Sequence, residues 1–185
     1  MTRRRELKVS AKQITTTAVL LAICILSQFL KNLSVYITGP IINACLIIAV
    51  LSVGLTCAII LSVITPVTAF FITGSPIMAA VPLLIPAIMI GNIVLVVIVA
   101  RLKGRGMSGN KIMLPASMII GSILKAAVMG ILIAVIILPN MLPEPMLPKL
   151  GALQMQFSLT QLITALIGSV YAYVIWIPLK KVWAK

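Results

Sequence analysis

Lys125 stands inside GSILKAAVMGILIAVIILPN, the stretch from Gly121 to Asn140, which is otherwise able to dissolve in hydrocarbon. It lies about 13 residues from either end of the apolar block around it, hence roughly 20 Å along a helix axis from each boundary. That distance is too long for its side chain to snorkel across. A charged lysine at a bilayer centre costs about 2.5–3.5 kcal/mol on insertion scales, so the ammonium group demands an explanation. Three are open: the amine is neutral, it faces a polar cavity, or an anion from outside supplies the missing charge. The last two would place it at the floor of a substrate site that favours a carboxylate or another electron-rich group. A lysine held by helix-end carbonyls and water, or one nearer the membrane edge, is the structural alternative.

The remaining titratable residues narrow the chemistry by their scarcity. The 185 residues contain two glutamates, Glu6 and Glu144, with no aspartate and no histidine, and both glutamates lie outside the apolar blocks. Ion-driven carriers and proton pumps usually bind the coupling ion on an intramembrane carboxylate or imidazole. General acid–base catalysis and metal binding draw on the same side chains. The expectation is a protein that is not an enzyme and uses no cofactor or metal. Any energy for active transport must then come from a partner. Cys24, Cys45 and Cys57 fall in three separate apolar blocks and read as small buried hydrophobes.

Amides and aromatic rings supply the other candidates. Asn43, Asn92 and Gln161 lie within apolar blocks, where a buried amide needs a partner, a ligand or another helix. Gln28, Asn32, Tyr36 and Thr38 surround a first expected outer loop; Phe70, Phe71, Thr73 and Ser75 mark a second; Asn140, Gln154, Gln156, Phe157 and Gln161 flank a third. Together they could line a cleft with rings stacking on a bound molecule. An aromatic belt with wetted loops would use the same residues. The candidate substrate residues are thus Lys125, Asn92, Asn43, Gln161, Asn32, Tyr36, Phe71 and Phe157.

The elements that must carry these residues follow from composition. With 62% hydrophobic and 9% charged residues, the chain reads as an all-α integral membrane protein. Spans of about 20 residues place six helices near 14–30, 38–53, 54–72, 78–102, 112–138 and 157–179, in a single domain covering 1–185. Pro82 and Pro86 should make the fourth helix irregular at its start. The proline-rich PNMLPEPMLPKLGALQMQ should form a structured connection rather than a span. Of the 15 lysines and arginines, 12 fall in the N-terminal tail, the loop after the fourth helix and the C-terminal tail. By the positive-inside rule both termini are cytoplasmic. The net charge of +13 then serves orientation and lipid contact, and nucleic acid is not an expected partner. The loop sequence GRGMSGNK lacks the Gly-Lys-Ser/Thr ending of a phosphate-binding loop.

In TTTAVLLAICILSQ, Ala18 and Ala22 share one face of the first helix, and small residues at that spacing let another helix approach closely. With the basic tail before this pair, the short joined helices in INACLIIAVLSVGLTCAII and the closing QLITALIGSVYAYVIWIPLKK, nearly the whole chain resembles the substrate-binding S component of energy-coupling factor (ECF) vitamin transporters. The resemblance implies a bacterial plasma-membrane protein that captures a vitamin or related micronutrient with its outer loops and outer helix halves. It also implies docking through Ala18 and Ala22 onto a transmembrane T subunit driven by two ATPase subunits. No pattern singles out a particular vitamin. A stand-alone small-solute carrier or channel, or a non-catalytic membrane scaffold, is the alternative that composition leaves open.

Overall fold

The computed structural model describes residues 10–30, 34–103 and 112–183. Asn32 and the loop carrying GRGMSGNK lie outside the described residues, as does most of the basic N-terminal tail. Among the described residues the protein is all-α with no strand, and six of its helical segments are long and apolar enough to cross a membrane. It is a multi-pass membrane protein.

Local chemistry accounts for the helix limits. Helix α1 (Ala11–Phe29) opens with a capping box, in which the Ser10 hydroxyl accepts from the Gln13 amide and the Gln13 side chain accepts from the Ser10 amide. Helix α2 (Val35–Ser52) opens on Ser34, whose hydroxyl accepts from the Tyr36 amide. Only Val53 and Gly54 separate it from α3 (Leu55–Thr73). Proline divides the fourth region: a single-turn α4 (Pro76–Ala80) and a break through Pro82 precede α5 (Leu84–Lys103). The fifth region is longer than apolarity alone delimits. Helix α6 (Met113–Met129) runs into a π-helical stretch (Gly130–Ile137) and then into α7 (Leu138–Met141). The proline-rich segment forms a 3-10 helix (Glu144–Lys149) and α8 (Leu150–Phe157), which bends at Ser158 into α9 (Leu159–Trp183).

Two findings show that α1 begins where α9 ends. Gln13 Nε2 donates to Val53 O at 3.0 Å and Lys103 Nζ donates to Val50 O, which ties the starts of α1 and α3 and the end of α5 to the end of α2. Leu179 lines the same apolar groove as Thr15 and Thr16. The cations Arg101, Lys103, Lys180 and Lys181 therefore gather at one end of the bundle.

Helix α2 is the central span, with 56% of its membrane window buried, whereas α1 has 22% and lies at the periphery. Two apolar cores fill the bundle. The one toward the basic end joins Leu46, Ile47, Leu61, Leu95, Val99 and Met118, and the other joins Val81, Leu84, Met129, Ile133, Leu138 and Phe157. Asn92 sits between the two sets on α5 and Lys125 sits between them on α6, so a polar layer separates the cores. Outside, Ile119, Ile123, Val135, Val170 and Val174 are exposed. Such a surface needs lipid rather than water. Several hydroxyls within the spans are satisfied locally: Ser62, Ser122, Thr164 and Ser169 each donate to a carbonyl one turn earlier.

Candidate functional site

Three helices meet at the polar layer. Asn43 comes from α2, Asn92 from α5 and Lys125 from α6, each at most 3% exposed. Lys125 Nζ donates to Asn43 Oδ1 at 2.6 Å and to Asn92 Oδ1 at 2.7 Å. An ammonium that can only donate fixes both amides with oxygen toward the lysine, which turns both Nδ2 groups elsewhere. Among the described residues Lys125 is the side chain that bonds to either amide.

Glycines make this meeting possible. A Cβ on Gly91 would stand 2.4 Å from Met129 Cγ, and a Cβ on Gly168 would stand 2.7 Å from both Asn43 Cβ and Pro40 O. Helices α5 and α6 touch at the first, and α2 and α9 at the second. One turn from Lys125, the Ser122 and Ser169 hydroxyls share a hydrogen bond of 3.0 Å that joins α6 to α9.

Beside the triad opens a cavity of about 110 Å³. Its second polar wall comes from α1 and α3. Gln28 Nε2 donates to Thr65 O at 3.0 Å, which fixes that amide too and leaves its Oε1 as a bare acceptor. Gln28 Oε1 and Thr65 Oγ1 are both buried and have no hydrogen-bond partner, although unsatisfied buried polar atoms are uncommon and costly. Ile42, Pro66, Ala69, Met78 and Ile88 supply apolar surface between the walls. Ser75, Gln156, Phe157 and Gln161 line the end away from the basic cluster. There Gln161 Nε2 donates to Gln156 O at 3.4 Å, and Gln154 Nε2 donates to Ala134 O, in the π-helical stretch, at 2.8 Å. The second bond ties α8 to the bundle.

Of the residues expected from sequence, Lys125, Asn92, Asn43, Gln161 and Phe157 line this one cavity. Tyr36 and Phe71 do not: both are exposed, and Phe71 meets Phe70 edge-on with ring centroids 5.2 Å apart. They fit the belt reading of the outer aromatics. Ala18 and Ala22 are exposed on the outer side of α1, away from the cavity. Thr65 carried no expectation, although the Thr65-Pro66 step was a usable signal. A proline inside a span withholds a backbone donor, and spans tolerate this where neighbouring groups re-satisfy the backbone.

The walls hold hydrogen-bonding and electrostatic means of binding a small molecule. Among the described residues no three His, Cys, Asp or Glu side chains come together in a way that could hold a metal. The cysteines Cys24, Cys45 and Cys57 are buried and free. Comparison with protein-family models, curated proteins and solved structures finds no match.

Proposed function

We propose that this chain is the substrate-capture subunit of an ATP-driven importer of the ECF type, seated in a bacterial plasma membrane and serving a water-soluble vitamin or related micronutrient. The observation that carries the reading is the buried Lys125–Asn43–Asn92 triad on a cavity that is also lined by two residues with unpartnered polar atoms, Gln28 and Thr65. Placing an ammonium and these orphan groups in the middle of a membrane bundle costs several kcal/mol, and a ligand that pairs with them offsets the cost. Glu144, the acidic residue among those described, lies exposed in the 3-10 helix, well apart from the triad. The bundle therefore offers no carboxylate for ion coupling beside the cavity, and energy would enter through partners. In this reading the exposed Ala18/Ala22 face of α1 receives the T subunit, and the basic end faces the cytoplasm.

Reconstitution tests the proposal. Proteoliposomes holding this chain alone should bind substrate stoichiometrically without accumulating it, and accumulation should begin when the T subunit and ATPases are added with ATP. Accumulation against a gradient by the chain alone would refute the proposal in favour of a stand-alone carrier.

A further inference from the structure

The two polar walls of the cavity are chemically opposite, and this restricts what can lie between them. On one side the donors left over are the third N–H of the Lys125 ammonium and the Nδ2 groups of Asn43 and Asn92, whose oxygens already accept from Lys125. Three donors with a formal positive charge among them suit an acceptor-only anion such as a carboxylate, which takes several hydrogen bonds at once. On the other side Gln28 Oε1 can only accept, because its amide is fixed by the bond from Nε2 to Thr65 O, and the Thr65 hydroxyl also lacks a partner. Both residues are at least nine-tenths buried, at 1% and 2% exposure, so bulk water does not satisfy them. Gln28 Oε1 calls for a donor from the occupant, and the Thr65 hydroxyl can meet either a donor or an acceptor.

Size sets the third condition. The cavity measures about 110 Å³, and an engineered apolar cavity of about 150 Å³ is filled by benzene. The space between the walls is therefore of single-ring scale. A larger ligand would extend past this space toward Phe157, Gln156 and Gln161 at the outer end.

We infer that the cavity takes a compact, single-ring-sized anion carrying an N–H or O–H donor at the end remote from its anionic group. This rests on the cavity being a capture site, and it narrows the substrate class from vitamins in general to small amino- or hydroxy-substituted acids. Each polar wall discriminates separately, because a site built to hydrogen-bond one group rejects the analogue that lacks it.

The test is calorimetric titration of the full chain in lipid nanodiscs with 3-aminobenzoate, 4-aminobenzoate, benzoate, aniline and 6-amino-2-naphthoate. The expected result is that one aminobenzoate binds at least tenfold more tightly than benzoate, aniline and the naphthoate. Gln28→Leu should erase the preference over benzoate. Lys125→Met should erase the preference over aniline. Equal binding of benzoate and the aminobenzoates by the unaltered chain, or an amino preference that survives Gln28→Leu, would overturn the inference. Native mass spectrometry of the protein as purified from cells separates this failure from that of the capture reading. A retained single-ring acid with a donor supports the inference. A retained bicyclic or acid-free molecule overturns it and leaves capture standing. No retained molecule, together with no binding of any probe, sinks both.

Discussion

Gly168 is not among the residues that line the cavity, yet replacing it should damage the site. A Cβ at this position falls 2.7 Å from Asn43 Cβ and from Pro40 O, where ordinary contact begins at 3.4 Å. Helices α2 and α9 must therefore separate by about 0.7 Å, because a backbone carbonyl cannot rotate out of the way. If α2 yields, Asn43 Oδ1 moves from its 2.6 Å bond to Lys125; if α9 yields, the 3.0 Å link between Ser122 and Ser169 is stretched. Overpacking costs about 1–3 kcal/mol and a broken buried hydrogen bond about 1–3 kcal/mol. Allowing for incomplete additivity, Gly168→Ala should cost about 2–5 kcal/mol. At about 2–4 °C per kcal/mol for a chain of this size, the melting temperature should fall by roughly 5–15 °C. The assay is thermal unfolding in nanodiscs followed by tryptophan fluorescence, paired with titration of an anionic probe. Gly151→Ala is the control, since no atom lies within 4 Å of the Cβ it would add. A Gly168→Ala protein that melts within 2 °C of the parent, a margin of about 1 kcal/mol or less, and binds equally well would refute the claim that this crossing sets the triad.

Lys125→Met should lower affinity for an anionic probe by at least tenfold, about 1.4 kcal/mol, and should also lower the melting temperature, because Asn43 Oδ1 and Asn92 Oδ1 lose the donor they share in the bundle; unchanged affinity by titration would remove Lys125 from the site. Gln154→Leu removes the 2.8 Å bond from α8 to Ala134 O, worth about 1 kcal/mol. It should speed ligand release about fivefold in stopped-flow displacement, and an unaltered release rate would show that α8 does not control exit. Ala18→Leu with Ala22→Leu adds bulk to an exposed face. Ligand affinity and melting temperature should stay as they are while co-purification with the T subunit is lost, and intact complex formation would refute the docking face.

Much of the fold was legible because the spanning segments follow from hydropathy, and Pro82 announced the break that separates α4 from α5. The π-helical stretch was not legible, since Gly130–Ile137 is apolar throughout and nothing in such a run distinguishes one helical hydrogen-bond register from another. Lys125, Asn43 and Asn92 could each be singled out as costly in hydrocarbon. Their mutual bonding could not, because it depends on how closely α2, α5 and α6 approach at Gly91 and Gly168, a property of packing rather than of any one helix. Gln28 and Thr38 look like loop residues when counted from the end of an apolar block. In the bundle Gln28 turns inward to Thr65 O and Thr38 donates to Ser27 O, so both are buried. The outer aromatics erred the other way: Tyr36 and Phe71 suit a stacking site by type, but their helix positions point them outward.

The orientation of the two asparagine amides also bears on membrane integrity. A water-accessible cleft reaching halfway through a bilayer invites leakage of protons and sodium, which would dissipate the gradients a cell lives on. At the triad both amide oxygens already accept from Lys125. A hydronium or metal cation that passed Gln28 Oε1 and Thr65 Oγ1 would meet like charge there if Lys125 is protonated. If the cavity captures an anion as proposed, the same ammonium would then double as electrical insulation against cations.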